Sequence, residues 1–431
     1  MSTPNNKVLG REPSLLSLAQ SILETTQGIV RYLDTNSLEP LSFALRAGDP
    51  PDTPEYRQLH AVLKDSLEDL SRLIDGPRRW LRSFCCTGYD LGALQIALDF
   101  DFFGMVPIDG GISLEDLAQK AGLDQDRVGR VVHQLMTYRI FDELEPSVIS
   151  HSSTSLVMRE DEDLRSVVHY SVDEMLKAAA DCNISLKANP FHADQQKNPF
   201  VTRHSVGLFE FYAKDPEKAR QFAKAMAGLR KMDNHLDFIL KDGFDWSSLE
   251  GTVVDVGGGN GHISRSLAQI YPRLQFVVQD YNADMLAEGQ KKLTDDIRDR
   301  VGFSHHSFFD PQPCRDVAAF LIRQCTHNWA DDDCVKIFRS FVLGLEGSNK
   351  YTPLLINDII IPAPGEWPRH QERVVRQVDV VMLVNCGAKQ RTKAEFEELL
   401  KKADPRFEIR KVRDDGPLGL LEVYLNQTIE T

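Results

Sequence analysis

The sequence predicts an α/β chain, with a doubly wound sheet in the C-terminal half behind a helical N-terminal region that carries a winged helix. Three observations predict it. From Leu15 to about Leu81 apolar residues recur at spacings of three and four. From Leu91 to Met158 the pattern reads helix, helix, helix and short hairpin. From GTVVDVG onward, β-branched runs alternate with helical stretches. Such alternation implies a parallel sheet that binds its ligands beyond the carboxyl ends of its strands.

In the first region SLLSLAQSILETTQGIVRYL and LHAVLKDSLEDLSRLI flank the breaker-rich GDPPDTPEY. Two amphipathic helices without a core of their own need a partner surface, and a second subunit would supply one. The winged-helix stretch offers Ser113 and Asp124 as N-caps, each followed by acidic residues. Its third helix sets Arg127, Arg130 and Arg139 against Asp124, Asp126, Asp142 and Glu143, which is no basic face for DNA. Residues 160 to 246 again read as helix, dense in aromatics at LFEFYAKDPEKARQFAKAMAGL. The strands expected after them are GTVVDVG, QFVVQDY, VGFSHHSFF, AAFLIR, PLLINDII, FEIRKV and GLLEVYL.

The bulk properties exclude several classes. A chain of 431 residues exceeds what one core usually organises. Its 64 acidic and 50 basic side chains leave a net charge of −14, which argues against a nucleic-acid partner. MSTPNNKVLGREPS lacks an apolar stretch and no long apolar run follows, so neither a signal peptide nor a membrane partner is expected. The seven cysteines form no CxxC pair, and reduced thiols in a cytoplasmic protein are the simplest reading.

The first strand of the C-terminal half ends in VVDVGGGNGHIS, residues 253 to 264. Glycines after a strand let the backbone approach a ligand, and the following helix offers its N-terminal amides. His262 occupies the slot where both the dinucleotide fingerprint and the phosphate-binding loop need glycine. The pattern is instead D-x-G-x-G-x-G, through Asp255, Gly257, Gly259 and Gly261. An acid just ahead of the glycines suits a cationic amino-acid group better than a pyrophosphate. The next strand ends in Asp280, placed to accept hydrogen bonds from ribose hydroxyls. Together these suit S-adenosyl-L-methionine, which carries ribose and an amino acid but no phosphate.

Several motifs in order then resemble the fungal class I O-methyltransferases of secondary metabolism, of the sterigmatocystin and plant caffeic-acid type. These are YDLGALQIAL, VPIDGGISLEDLAQKAGLD, LFEFYAKDPEKARQFAKAM, VVDVGGGNG, SFFDPQP, RQCTHNWADDD, INDIIIPAPGE and ADPRF. The resemblance implies a Rossmann-like methyltransferase sheet with an N-terminal winged-helix dimerisation domain, and a homodimer. The expected division is 1–83 (dimerisation helices), 84–158 (winged helix), 159–246 (helical connector and substrate pocket) and 247–431 (S-adenosylmethionine-binding domain).

The resemblance also implies the site. Cofactor contacts fall on Asp255, Gly257, Gly258, Gly259, Asp280, Ser307, Phe308 and Arg323. His327 is the implied general base, steadied by Asp358 and Gln390. Phe222, Met226 and Met382 resemble an apolar lining for an aromatic or polyketide-type acceptor. Two positions depart from the family. Ser307 stands where HDFF is usual, so a hydroxyl replaces a carboxylate and holds the cofactor more weakly. Gln390 stands where KER is usual, and an amide can position an imidazole but not stabilise imidazolium by charge.

The implied chemistry is in-line methyl transfer to a phenolic or enolic hydroxyl, whose proton a histidine is suited to remove. The alternative is a relative that holds the cofactor without donating its methyl and guides dehydration or pericyclic cyclisation. His169 is expected to pack, and the run Asp331, Asp332, Asp333 to favour a helix N-terminus. No metal site is expected.

Overall fold

Short polar side chains start the helices that the periodicity marks out. Ser14 closes a capping box on the helix Leu15–Thr35, and Thr53 caps the helix Pro54–Asp99. Ser113 and Asp124 cap the helices Leu114–Ala121 and Gln125–Met136, accepting from the amides of Asp116 and Arg127. The computed structural model describes residues 13–191, 193–232, 237–414, 416 and 418–426. They fall into two compact units, one holding the chain up to Asp173 with Lys224–Gly228 and Gly365–Arg373, the other holding the rest.

In the first unit the helical stretch Pro54–Asp99 is interrupted at Gly76. Gly76 (φ +64°, ψ 172°) is non-helical, so one helix ends there, and Pro77, which needs no amide hydrogen in a first turn, opens the next, which runs to Asp99. The winged helix has three short strands: β1 (Ile112–Ser113), β2 (Phe141–Glu145) and β3 (Val148–His151), in the order β1-β3-β2. Phe102, Phe103, Val128, Val132, Leu135, Phe141 and Ile149 fill its core. His169 Nε2 lies 2.9 Å from Asp99 Oδ1.

The second unit is built on β4 (Gly251–Val256), β5 (Leu274–Asp280), β6 (Val301–His305), β7 (Ala319–Arg323), β8 (Leu354–Asp358), β9 (Phe407–Arg413) and β10 (Gly419–Leu425). Their order is β6-β5-β4-β7-β8-β10-β9. The first five pair in parallel, but β10 is antiparallel to both β8 and β9, so the sheet is mixed rather than wholly parallel. The chain from Arg413 to Gly419 is too short for a crossover, and so short a connection joins antiparallel neighbours.

Successive residues of β7 feed two cores. Ala319 and Leu321 pack with Trp246, Ile263, Leu267 and Phe276 on one face; Phe320 and Ile322 pack with Phe338, Phe341, Phe396 and Phe407 on the other. Burial on both faces fixes the register and brings the carboxyl ends of β4, β5, β7 and β8 to one edge. Among the described residues no helix is long and apolar enough to cross a membrane.

Candidate active site

The turn after β4 holds Gly257, Gly259 and Gly261 at positive φ (+73°, +58° and +67°). At Gly257 the need is also spatial, since a Cβ there would lie 2.8 Å from Cys325 Sγ and 3.3 Å from Phe308. The loop is tied to the end of β5. Gly257 and Gly258 donate to the Gln279 carbonyl at 2.8 and 3.1 Å, and Gly259 donates to Asp280 Oδ2 at 2.9 Å. Asp280 Oδ1 accepts from the Asn282 amide at 2.8 Å. Each Asp280 oxygen thus keeps lone-pair capacity beside a backbone stripped of side chains.

Asp255 is placed differently from the expectation of an acid offered to a cationic group. Its carboxyl is buried beneath the loop, accepts from Ser264 Oγ at 2.6 Å, and would meet a Cβ on Gly258 at 2.6 Å. Burial pushes it up to about 6, against the lowering from the Ser264 hydrogen bond and from Arg323. Its part is to shape the loop and the start of the helix His262–Ile270. His262, noted in the sequence only as a misfit to phosphate motifs, lies nearby with Nε2 buried and unpartnered. Burial, with Arg323 and Arg230 adding, pushes it down to about 3, so the ring is neutral.

Ser307 and Phe308 follow β6. The Ser307 hydroxyl accepts from the Phe309 amide at 3.3 Å, and Phe308 meets Trp329 edge-on at 5.7 Å. Arg323, at the end of β7, donates to Asn357 Oδ1 at 2.9 Å and pairs with Asp237 at 2.6 Å. Asp237 escaped the sequence reading because 86 residues separate it from Arg323.

His327 sits on the short turn Thr326–Asn328 just past β7. Its Nδ1 lies 2.6 Å from Asp358 Oδ1 at the end of β8. The same buried carboxylate accepts from Thr326 Oγ1 at 2.6 Å and from the amides of Ile359 at 3.0 Å and His327 at 3.3 Å. Burial alone would raise Asp358, but His327 and these donors together hold it below the usual carboxylate range. A carboxylate on Nδ1 fixes the proton there and leaves Nε2 as the ring's accepting atom. Arg391, itself buried, donates to the carbonyls of Thr326 (2.9 Å) and Trp329 (2.8 Å) and pairs with Asp331, which begins the helix Asp331–Ser340.

Gln390 does not steady the histidine in the way expected. Its backbone amide donates to Asp379 Oδ1 at 2.7 Å, while its side-chain Nε2 and Oε1 are both buried with no partner among the described residues. Among the described residues it is Asp358 that holds the ring. Phe222 stacks on Tyr212 at 4.4 Å in the second unit. Met226, one turn further along the helix Pro216–Met232, belongs to the stretch that clusters with the first unit. Met382 is partly buried on the helix Arg369–Cys386.

A mixed α/β sheet of this order, with a glycine turn after its first strand, an acid ending the second and a carboxylate-held histidine past the fourth, defines a methyltransferase of the nucleoside-sulfonium type. The O-methyltransferase domain family matches residues 185–405. The O-methyltransferase sol2 of Alternaria solani is 50% identical over 413 residues, covering 96% of each chain. Among solved structures, that of OxaC superposes with a TM-score of 0.74 over 96% of this chain and 99% of its own, at 19% identity. A structure titled "A Pericyclic Reaction enzyme" gives 0.70 over 95% and 100%, at 16%. The chain belongs to the O-methyltransferase family and is a methyltransferase of class EC 2.1.1. Its cofactor is S-adenosyl-L-methionine. The residues present fit that cofactor: the Gly257 hollow would be closed by any Cβ, Asp280 retains acceptor capacity, and His262 Nε2 is buried with no partner among the described residues.

Proposed function

We propose that this protein methylates a phenolic or enolic hydroxyl of a small aromatic or polyketide-type metabolite, with His327 as general base. The observation that carries this reading is the 2.6 Å contact between His327 Nδ1 and Asp358 Oδ1 at the carboxyl edge of the sheet. S-adenosyl-L-methionine supplies an electrophilic methyl group on a sulfonium. Gly257, Gly258 and Gly259 would receive it by backbone, Asp280 would hold its ribose, Ser307 and Phe308 its adenine, and Arg323 would close the site from β7. A phenol ionises near pKa ~10, so its oxygen needs help to become nucleophilic at neutral pH. His327 Nε2 would take the hydroxyl proton, which makes the acceptor oxygen nucleophilic. Asp358 then stabilises the imidazolium. Phe222 and Met382, both in the second unit, line the acceptor side and exclude water.

The chain acts as a cytoplasmic homodimer in this reading. Leu16, Leu23, Val30, Ile74 and Phe84 on the two N-terminal helices are exposed and support a pairing face. The test is to supply methyl-labelled cofactor with a panel of phenols and enols, and to measure labelled ether and S-adenosylhomocysteine together. His327→Ala should lose both products while still binding S-adenosylhomocysteine; retained turnover would overturn the assignment of the base.

A second reading has one observation in its favour: the neutral Gln390 at a position where the family usually places a carboxylate. In that reading the bound cation guides dehydration or pericyclic cyclisation and its methyl stays in place. Acceptor converted with no S-adenosylhomocysteine released would establish it.

A further inference from the structure

We propose that Gln390 is a substrate-recognition residue whose side-chain amide hydrogen-bonds a second oxygen of the acceptor, next to the hydroxyl that is methylated. The proposal rests on the methyl-transfer reading of the site. Both polar atoms of the Gln390 side chain are buried and neither has a partner among the described residues. Leaving a buried amide unpaired is costly, so a position that keeps one implies a group that pairs it in the working complex.

The backbone shows where that group must lie. Arg391, the next residue, bonds the Thr326 and Trp329 carbonyls that bracket the His327 turn, and pairs with Ile360 beyond β8. The Gln390 amide nitrogen is fixed to Asp379, three residues before Met382 on the helix Arg369–Cys386. Gln390 therefore stands between the turn that carries the base and the helix that carries a lining methionine. The imidazole is already satisfied at Nδ1 by Asp358, so the amide is not needed to orient it.

An amide offers what a glutamate in this place could not, a donor beside an acceptor. The matching acceptor class is a phenol or enol with a carbonyl oxygen close to its hydroxyl. The carbonyl accepts from Nε2, and the hydroxyl proton goes to His327. An ionised carboxylate would instead repel that carbonyl and leave it unpaired.

The probes are 2′-hydroxyacetophenone and 2-ethylphenol, alike in outline but only one bearing a carbonyl beside the phenol. Calorimetric titration of the full chain saturated with S-adenosylhomocysteine should show the ketone binding roughly tenfold more tightly, the worth of one buried hydrogen bond. Gln390→Leu should abolish the preference and leave S-adenosylhomocysteine affinity unchanged. With whichever hydroxyl acceptor the wild type turns over, Gln390→Leu should raise KM more than it lowers kcat and leave the pH profile of kcat in place. Two results overturn the proposal: a wild type indifferent to the carbonyl, or a Gln390→Leu whose kcat and pH profile change while KM does not, as a histidine-orienting role demands. The binding arm needs no turnover, so absence of methyl transfer would count against the proposed function and leave this inference to be judged by itself.

Discussion

Two carboxyl groups of the second unit, Asp255 at the end of β4 and Asp358 at the end of β8, are equally buried yet behave oppositely. Asp255 has one hydroxyl donor, and burial lifts it to about 6. Asp358 faces an imidazole, a hydroxyl and two amides, and stays below the ordinary range. The lesson is that donors, not depth, decide whether a buried acid keeps its charge. It also divides the site. The glycine-loop end is a shape held up by an acid that burial makes easier to protonate, and the His327 end is a charge held ready for a proton.

The sharpest break of that contrast is at the charged end. His327→Ala should lower methyl transfer by about 10²–10⁴-fold, the usual worth of a positioned base, with cofactor binding kept. Asp358→Asn should cost about a hundredfold, because an amide can present an N–H to Nδ1 and favour the wrong tautomer. The same variant carries a pH signature. A group with a depressed folded pKa stabilises above its unfolded value, near 3.8 here, and loses that contribution as pH falls through the folded value. Wild-type protein should therefore lose stability below that pH more steeply than Asp358→Asn, as urea midpoints taken across acid pH would show. Parallel curves would mean that Asp358 is not held as an anion.

At the glycine end the sign reverses. The folded pKa of Asp255 is raised, so its contribution is full below about pH 3.8 and is lost as pH rises through about 6. Asp255→Asn should remove that slope and leave the chain about 1–2 kcal/mol more stable at neutral pH. That is less than the ~3 kcal/mol that two pKa units represent, because Arg323 loses an attraction. Thermal melts at pH 4 and pH 7 decide it: a variant destabilised equally at both would show that burial does not raise Asp255.

The same division explains what could be read from the residues. All seven strands of the second unit were legible, because each is a short apolar run alternating with helical stretches. Their mixed pairing was not, since β10 inserts between β8 and β9 and nothing local records it. The glycine turn and Asp280 were legible for a similar reason: they lie within one strand-helix-strand unit whose geometry is fixed. The partnership of His327 with Asp358 spans 31 residues and was visible only through family resemblance; that of Arg323 with Asp237, over 86, was not visible at all. Asp255 was noticed but given the wrong face, because a sequence records that an acid precedes the glycines and not that Ser264 turns it inward. A helix was expected again from Leu91; that it already runs from Pro77 was not legible, because RSFCCTGYD has no regular apolar spacing of its own.

The smallest expected effect tests the cofactor end where it departs from its relatives. Ser307 offers a hydroxyl whose oxygen already accepts from the Phe309 amide at 3.3 Å. Towards an exocyclic amine it is a neutral acceptor, and neutral hydrogen bonds contribute about 1 kcal/mol against roughly 2 for those to an ion. Ser307→Asp should then tighten S-adenosylhomocysteine by about fivefold. The aspartate has no charged partner next to it, so part of the gain is offset by its own desolvation. Titration calorimetry with S-adenosylhomocysteine and with its inosine analogue, which lacks the amine, separates the two terms. The gain should appear with the first ligand and vanish with the second. Equal tightening of both would place Ser307 away from the adenine edge and move the nucleobase pocket elsewhere along β6.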